Sequence, residues 1–236
     1  MVSSNESPNA LPMYVQISEL LIRDISAGRL MDGERLPPER AMADSLNTSV
    51  GTLRKALAIL IKKNLLESVQ GSGNYVRHGG EADSVYAMFR LELLEGGGLP
   101  RADILDIQAM AKPVDLPRFG TSDAGTRIRR LRYLNKTVVA IEEIWLDQNA
   151  GTVPAGVLSD SLYHFYQKQL GFWIARAEDR VGIQDVPDWS PETFGKPAGA
   201  ISGYIERLSW AQEPEAVEFS RTWFDTDRAL YVQRMK

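Results

Sequence analysis

Apolar and polar residues follow a helical period over residues 38–64 and a strand period over residues 66–77. The helical stretch is interrupted at Asn47-Thr48-Ser49, so the pattern predicts two helices joined by a tight turn. Ser49 or Thr48 would cap the second helix, which ends near Asn64. The strand stretch is centred on Gly71-Ser72-Gly73 and predicts a hairpin. Two helices and a hairpin in this order predict a winged helix-turn-helix.

Such a motif places its second helix in the major groove of DNA. The outward face of that helix carries small or cationic residues that can approach phosphates and base edges, namely Gly51, Thr52, Arg54 and Lys55. A glycine at the hairpin tip permits a positive φ and a close approach to a sugar-phosphate backbone. Each feature alone is typical of an ordinary protein surface, but their order and spacing favour a DNA-binding domain.

This arrangement resembles the GntR family of bacterial transcription regulators. The resemblance covers most of residues 11–77 and rests on Tyr14, Gly33, Leu36-Pro37, Glu39-Arg40, Ser49, Thr52, Arg54, Ala56-Leu57, Leu60, Leu65 and Gly71-Ser72-Gly73-Asn74-Tyr75-Val76. It implies that DNA is contacted by Arg40, Ser49, Gly51, Thr52, Arg54 and Gly71. Val50 stands where the family often has an arginine that reads guanine. Valine can contact a thymine methyl but donates no hydrogen bond, so we expect a different operator sequence.

Composition restricts the remaining chemistry. The chain has 236 residues, of which 44% are apolar, and its length suits two modest domains. No apolar run approaches the roughly 18 residues of a membrane span, and no signal-peptide pattern opens the sequence, so we expect a cytoplasmic protein. The absence of Cys excludes disulfides and thiolate ligands, and His78 and His164 are too few for a histidine metal cluster. We therefore expect no metal and no cofactor.

The net charge of −4 is unevenly distributed. Residues 1–77 contain 9 Lys and Arg against 8 Asp and Glu, whereas residues 78–236 contain 18 against 23. Local clustering matters more for DNA binding than the total, and Arg40, Arg54 and Lys55 provide such a cluster. The acidic remainder is not expected to contact DNA.

The composition and residue patterns of the sequence predict four segments. Residues 1–10 are polar and are expected to form a disordered tail, residues 11–77 form the DNA-binding domain, and the glycine-containing stretch 78–84 forms a linker. Residues 85–236 are expected to form an α+β domain with a largely antiparallel sheet. A helix is predicted over residues 158–170, and strands over residues 127–134, 138–146, 173–186, 200–211, 216–223 and 229–234.

Three features of this second domain suggest a ligand site. Arg130 and Arg132 alternate onto one strand face, where their forked donors match carboxylate or phosphate geometry. Ser161 and Tyr163 offer two hydroxyls at a predicted helix start, which is a favourable place for an anion. Glu218 shares a strand face with Ser220. The structural alternatives are arginines paired with Glu142 or Glu143, a helix cap with a core tyrosine, and an ordinary polar edge.

The order of these residues resembles the UTRA effector-binding domain of the HutC subfamily of GntR regulators. The matching string is Arg130-Leu-Arg132, Glu142, Ser161-Leu-Tyr163, Gly171, and Glu218 with Ser220. The resemblance implies a chorismate-lyase-like fold that binds small metabolites such as phosphosugars or carboxylates. It further implies that an anionic group is held by Arg130, Arg132, Ser161 and Tyr163, and that Glu142 and Glu218 accept hydrogen bonds from hydroxyls or amines.

These observations predict a homodimeric transcription regulator, most simply a repressor. Its partners would be a palindromic double-stranded DNA operator and a small anionic effector, either a phosphosugar, a carboxylate or a sulfonate. The alternative is a metabolite-binding protein or lyase-like enzyme without specific DNA binding. An activated nucleophile, a metal set and a cofactor motif are all missing from the sequence, and likeness to a lyase fold does not by itself imply activity. We therefore expect no enzymatic activity.

Overall fold

The computed structural model describes residues 11–77, 86, 88–154 and 162–234. The contacts divide the chain into two compact units. The winged-helix unit contains Leu11–Pro100 together with residues 231–234, and the sheet unit contains Arg101–Leu230. The tail predicted over residues 1–10 and the linker predicted over residues 78–84 lie outside the described residues, and the predicted domain boundaries remain a prediction.

The winged-helix unit begins with three helices and a hairpin. These are α1 (Met13–Ser26), α2 (Glu39–Ser45), α3 (Val50–Lys62), β1 (Leu66–Val69) and β2 (Gly73–Val76). Helix α3 begins at a proper cap, because the Ser49 hydroxyl accepts a hydrogen bond from the Thr52 N–H at 3.0 Å. It ends just before Asn64, whose φ of 57° reverses the chain toward β1.

Apolar faces of the three helices close over one core. Helices α1 and α3 supply most of its fully buried side chains, including Ile17, Leu21, Ile22 and Ile25 from α1 and Leu53, Ala56, Leu57 and Leu60 from α3. The segment before α2 lies against the hairpin, because the Leu36 N–H donates to the Asn74 carbonyl and Arg35 forms an isolated bridge with Tyr75. The wing is therefore fixed to the segment that enters α2.

The sheet unit is built on one six-stranded sheet in the order β4-β5-β6-β9-β8-β7. Its strands are β4 (Pro100–Ala111), β5 (Ala124–Leu134), β6 (Thr137–Asp147), β7 (Arg176–Asp185), β8 (Ile201–Trp210) and β9 (Ala216–Phe224). Every pairing from β5 through β7 is antiparallel. A separate two-stranded sheet joins β3 (Leu91–Leu93) and β10 (Ala229–Tyr231). The predicted α+β fold, a winged helix followed by a largely antiparallel sheet, is confirmed.

Different groups of apolar side chains cover the two faces of the six-stranded sheet. On one face, helix α4 (Leu162–Phe165) and the π-helical turn Tyr166–Leu170 pack onto Ile128, Ile144 and Leu146. On the other face, Phe194 from the short helix Glu192–Phe194 packs with Leu131, Ile141 and Trp223. The face that carries α4 also carries the polar residues described below.

Several elements differ from the sequence prediction. The described part of the helix predicted over residues 158–170 starts at Leu162, and the chain turns at Gly171, whose φ is 77°. The strand predicted over residues 229–234 is shorter and pairs with β3, which the pattern did not predict. Strand β4 was also missed. It is an edge strand whose second half is exposed or half-buried on both faces, so it lacks a strong alternation of apolar residues.

Candidate functional site

The outer surface of α2 and α3 exposes most of the residues predicted to contact DNA. Arg40, Ser49, Gly51, Arg54 and Lys55 are exposed, and Thr52 is half-buried. Arg54 is not isolated in the described structure, since its Nε donates to Glu39 Oε2 at 2.7 Å. Two-thirds of the Arg54 side chain is exposed, so its ion pair with Glu39 is weak. Arg54 can therefore exchange Glu39 for a phosphate or a base.

At the start of α3, Val50 is less exposed than its neighbours Ser49 and Gly51. Val50 is half-buried and packs against the core of the winged-helix unit, so only part of its side chain is available to a base. A Cβ on Gly51 would meet only the Ser49 hydroxyl, at 3.8 Å. Packing therefore does not require glycine at position 51, and the residue leaves open space at the predicted DNA surface.

The tip of the wing combines open backbone with one ordered arginine. Gly71 is exposed, has a φ of +76°, and would meet nothing within 4 Å if it carried a Cβ. Arg35 donates to the Ser72 carbonyl, and its guanidinium lies 3.3 Å from the position of a Cβ on Gly73. The segment beside the hairpin thus adds the cation Arg35 at the wing, which the sequence analysis did not select.

In the sheet unit, strand register brings the predicted effector residues onto one face. Arg130 lies opposite Glu142 on the neighbouring strand, and Glu142 lies opposite Thr222 on the next strand. Two residues from Arg130 along β5, Arg132 has the same orientation, as the alternation predicts. Glu218 lies opposite Ser209 on the same face.

Two arginines share one carboxylate at the centre of this face. Arg130 donates to Glu142 Oε2 through Nη2 at 2.7 Å, and Arg132 Nη1 lies 3.6 Å from the same oxygen. Both guanidiniums are almost fully buried, with exposed fractions of 7% and 5%. Burial alone would raise the pKa of Glu142, but the charges of Arg132 and Arg130 outweigh it and hold this pKa below its usual value.

The ion pairs weighed as a structural alternative are therefore present, but they are divided between two faces. Arg129 pairs with Glu143 at 2.8 Å on the opposite face, where Arg129 also lies over the Trp189 ring. Arg130 and Arg132 share the carboxylate of Glu142 on the face that carries α4. Forked guanidinium donors of this kind match the geometry of a carboxylate or phosphate ligand.

A hydroxyl cluster surrounds Glu218. Its carboxylate accepts hydrogen bonds from Tyr163 at 3.1 Å, Ser209 at 3.0 Å and Tyr166 at 2.6 Å. Burial raises the pKa of Glu218, and the three donors lower it without cancelling the effect of burial. The two acids of the face thus have pKa shifts of opposite direction, because Glu142 lies beside guanidiniums and Glu218 beside neutral hydroxyls.

A third arginine of this face was missed by the sequence analysis. Arg207 on β8 is half-buried, forms a bidentate pair with Asp179 at 2.5 and 2.7 Å, and lies within hydrogen-bonding reach of the Tyr163 hydroxyl. Its charge also acts on Glu142. The available signal was the alternation of Arg207 with Ile205 and Ser209 along the predicted strand 200–211, and both of these neighbours are buried.

Ser161, the remaining predicted effector residue, lies outside the described residues. Tyr163 is described, and it stacks on Tyr166 with a distance of 5.9 Å between ring centroids. Tyr166, three residues further along the helix, was missed because a fully buried tyrosine at helical spacing is indistinguishable in sequence from a core residue.

Other kinds of site find no support in the described part of the chain. Its histidine, aspartate and glutamate side chains do not group into a candidate metal site. Its helices include none that is both long and apolar enough to cross a membrane.

Comparison with known proteins gives two family matches that together span most of the sequence. Residues 13–76 match the bacterial regulatory proteins of the gntR family, and residues 97–229 match the UTRA domain. The HTH-type transcriptional regulator SmoD of Agrobacterium fabrum is 54% identical over 228 residues, which cover 96% of this chain and 97% of SmoD.

Two further proteins are more distant. The mannosyl-D-glycerate transport/metabolism system repressor MngR of Escherichia coli is 27% identical over 92% of each chain. The crystal structure of the possible transcriptional regulator YydK from Bacillus subtilis superposes with a TM-score of 0.53 at 19% identity, covering 96% of this chain and all of that one. At that identity the superposition supports the fold alone. Together, the two matched domains and the high identity to SmoD show that this protein is a transcriptional regulator of the GntR family with a UTRA effector domain.

Proposed function

We propose that this protein is a homodimeric repressor that binds a palindromic operator and releases it when an anionic metabolite occupies the sheet unit. The observation that carries the effector half of this proposal is the pair of buried arginines that share Glu142. Family membership supports the operator half, because GntR regulators bind DNA and small effectors. One of the relatives, MngR, is named a repressor.

For the operator, we propose that the N-terminal half of α3 enters the major groove. Exposed Arg40 and Arg54 would contact bases or phosphates, with Ser49, Gly51 and Thr52 close to the backbone and Lys55 on a phosphate. Gly71 and the neighbouring Arg35 would bring the wing to the adjacent sugar-phosphate backbone. A dimer presents two copies of α3, so the site would have two-fold symmetry.

The face of the six-stranded sheet that carries Arg130, Arg132, Glu142 and Glu218 is called the effector face. Its charges support an anionic ligand. Among its described residues, the guanidiniums of Arg130, Arg132 and Arg207 face the carboxylates of Glu142 and Asp179, while the raised pKa of Glu218 opposes a third negative charge. A phosphate, carboxylate or sulfonate would accept forked hydrogen bonds from these guanidiniums.

The rest of the effector is proposed to carry hydroxyls. Tyr163, Ser209 and Glu218 form a connected set of donors and acceptors beside the arginines, which suits a polyhydroxylated body. MngR is named for a system that handles mannosyl-D-glycerate, a sugar linked to a carboxylate, and this supports the same combination of groups. A phosphorylated sugar fits best, and a sugar carboxylate or sulfonate is second.

A binding assay with a small panel of ligands tests the effector half. Glucose 6-phosphate, glucuronate, mannosyl-D-glycerate and a sugar sulfonate would each be titrated into the full-length protein while thermal unfolding is followed. We expect at least one to raise the unfolding temperature, because a ligand at one hundred times its Kd stabilises by about 2.7 kcal/mol. Neutral glucose is the matched control. Stabilisation by glucose equal to that by the charged sugars would contradict an anionic effector.

Selection from random double-stranded DNA tests the operator half. We expect a palindromic sequence to be enriched, with two bound chains per site. Enrichment of no sequence would favour the alternative of a metabolite-binding protein without specific DNA binding. Turnover of a stabilising ligand, followed by product analysis, would favour the enzyme alternative.

A further inference from the structure

We propose that Arg207, held in position by Asp179, is a further effector-binding residue, and that it binds the anionic group of a sugar whose hydroxyls lie against Glu218. This inference rests on the proposed function. It deepens that function by assigning separate parts of the effector to separate parts of the effector face. Neither Arg207 nor Asp179 is among the residues on which the resemblance to UTRA domains rests.

Strand register places Arg207 beside the hydroxyl cluster. Arg207 lies directly opposite Asp179 of β7 on one side and Ser220 of β9 on the other. Ser209 follows two positions later on β8, so it has the same orientation and lies about 7 Å further along the strand. Because Ser209 donates to Glu218 at 3.0 Å, Arg207 is a direct neighbour of the residues that surround this carboxylate.

The hydroxyl cluster has no proton to give to an anion while Glu218 is ionised. A hydroxyl group carries one proton, and Tyr163, Tyr166 and Ser209 donate theirs to this carboxylate at 3.1, 2.6 and 3.0 Å. Their oxygens can still accept hydrogen bonds. This part of the effector face therefore suits groups that donate, such as the hydroxyls of a sugar, and an anionic oxygen must find its donors elsewhere.

Arg207 supplies such donors. A guanidinium has five N–H groups, of which the bidentate pair with Asp179 uses two, at 2.5 and 2.7 Å, and the Tyr163 hydroxyl is within reach of a third. Among the described residues, this leaves two N–H groups of Arg207 for a ligand. Carboxylate and phosphate oxygens accept hydrogen bonds from forked guanidinium donors, so an anionic group beside Tyr163 would bind here.

Exposure distinguishes Arg207 from the other two arginines of the effector face. Its side chain is 16% exposed, against 7% for Arg130 and 5% for Arg132. Arg130 and Arg132 are packed around Glu142, whereas part of Arg207 remains in contact with solvent. An anion can therefore reach the guanidinium of Arg207 from solvent.

Asp179 acts as the positioning residue for this guanidinium. Its Oδ1 accepts from Arg207 Nε and its Oδ2 from Nη2, so both oxygens hold the plane of the fork. A long side chain that is fixed before the ligand binds loses less conformational freedom on binding. An asparagine at position 179 would keep the size of the side chain but would offer only one accepting oxygen.

The spacing on β8 indicates the size of the effector. Arg207 and Ser209 leave the strand about 7 Å apart on the same face, so a ligand no larger than one sugar unit can contact both. The inferred class is a monosaccharide unit that carries a phosphate, carboxylate or sulfonate close to hydroxyls.

Titrations of the full-length chain with glucose 6-phosphate and neutral glucose, at constant ionic strength, test the role of Arg207. We expect wild type to bind glucose 6-phosphate more tightly than glucose. Arg207→Gln should raise the Kd for glucose 6-phosphate about tenfold or more and should bring it close to that for glucose, because the anionic group loses its forked donors. Arg207→Lys, which keeps the charge but not the fork, should lie between wild type and Arg207→Gln.

The same titrations test the positioning role of Asp179. Asp179→Asn should raise the Kd for glucose 6-phosphate by a smaller factor than Arg207→Gln, because the guanidinium remains but is held less firmly. Added to Arg207→Gln, it should have no further effect on this Kd, since the residue it positions is already absent. A further loss in the double variant would overturn the positioning role.

Arg221 provides a matched control. Its side chain is 18% exposed and pairs with Asp115 at 2.8 Å, but it lies opposite Glu143 and therefore on the other face of the sheet. Arg221→Gln should leave the Kd for both sugars unchanged.

Thermal unfolding of each variant without ligand separates the proposal from a structural role. If Arg207 and Asp179 only tie the edge strand β7 to β8, Arg207→Gln will lower the unfolding temperature and leave the ratio of the two Kd values as in wild type. That result would overturn the proposal.

The outcomes also separate this inference from the proposed function. If another charged sugar of the panel binds wild type more tightly, it takes the place of glucose 6-phosphate in the same comparison. If wild type binds none of them, the effector half of the proposed function is wrong and the inference fails with it. If wild type and Arg207→Gln bind a charged sugar equally well, only the inference is wrong.

Discussion

The cations proposed to bind DNA and those proposed to bind the effector are held in opposite ways. In the winged-helix unit, Arg54 is 67% exposed and has Glu39 as its ion-pair partner. In the sheet unit, Arg130 is 7% exposed and shares Glu142 with the equally buried Arg132. DNA is a large polyanion that brings its own high charge density, so exposed and adjustable side chains suffice to bind it. A small anion must instead be removed from water, which favours a fixed set of donors in a buried site.

This difference has an energetic consequence. An exposed pair such as Arg54–Glu39 contributes about 0–1 kcal/mol, so it costs little to exchange for a phosphate. Removing one member of a buried ionic set is expected to cost several kcal/mol, because charges are left without full compensation. Mutations in the two units should therefore affect ligand binding and folding in different proportions.

The largest effect is expected for Arg132→Ala. It should weaken binding of the anionic sugar that stabilises the wild type by about 2–5 kcal/mol, because a buried, hydrogen-bonded charge pair is truncated. Operator affinity without the sugar should be unchanged. Arg129→Ala, on the same strand but paired with Glu143 on the other face, is the matched control and should leave sugar affinity unchanged. If Arg132→Ala lowers only the free energy of unfolding, the arginines are structural.

A smaller effect is expected for the DNA surface. Arg54→Ala or Arg40→Ala should weaken operator binding by roughly 1–3 kcal/mol if the side chain contacts a base, and Lys55→Ala by less and without regard to sequence. Lys62→Ala, an exposed cation in the last turn of the same helix, is the control. Unchanged operator affinity in both arginine variants would remove α2 and the start of α3 from the proposed interface.

The two acids of the effector face should respond to pH in opposite directions. The pKa of Glu142 is lowered, so its contribution to stability is present above the unfolded value of about 4.3 and is lost as pH falls through its folded pKa. The pKa of Glu218 is raised, so its contribution is present below that unfolded value and is lost as pH rises through its folded pKa.

Denaturant unfolding of Glu142→Gln and Glu218→Gln between pH 3.5 and pH 8 measures this difference. Relative to wild type, Glu142→Gln should be most destabilised near neutral pH, whereas Glu218→Gln should become relatively more stable as pH rises. Parallel pH profiles for the two variants would contradict the assigned directions.

The smallest effect is expected for the cap of α3. Ser49→Ala should reduce stability by about 1 kcal/mol, because the Thr52 N–H loses its acceptor. Ser45→Ala in α2, whose hydroxyl donates only to the Met42 carbonyl, serves as the comparison and should cost less. Equal losses in the two variants would show that capping does not distinguish Ser49.

The same contrast between units explains how much could be predicted from the sequence. In the winged-helix unit the signals of α2, α3 and the hairpin are local: Ser49 as a cap, glycines in the wing and helical spacing of leucines each act within a few residues. These elements were therefore predicted closely, whereas α1 was not predicted. In the sheet unit, alternation placed Arg130 and Arg132 on one face of β5 correctly. It could not predict that Arg207 from β8 reaches the same face, because that depends on the order of strands.

Residues on edge strands and buried hydroxyls were the hardest to predict. Asp179 lies on the edge strand β7, which is exposed or half-buried along its whole length, so nothing in its sequence marks it as the partner of Arg207. Tyr166 and Ser209 resemble ordinary core positions until Glu218 is seen between them. The carboxylate of Glu92 is bound by Arg234, 142 residues away in sequence, and no local pattern indicates that pairing.

The central claim is that the two sets of cations serve two separate ligands, and one paired measurement tests it most directly. Operator Kd and the Kd for the stabilising sugar, for example glucose 6-phosphate, would both be determined for Arg54→Ala and Arg132→Ala. We predict that Arg54→Ala weakens operator binding and leaves sugar binding unchanged, and that Arg132→Ala does the reverse. Loss of operator affinity in Arg132→Ala without the sugar, or unchanged sugar affinity in that variant, would contradict the account.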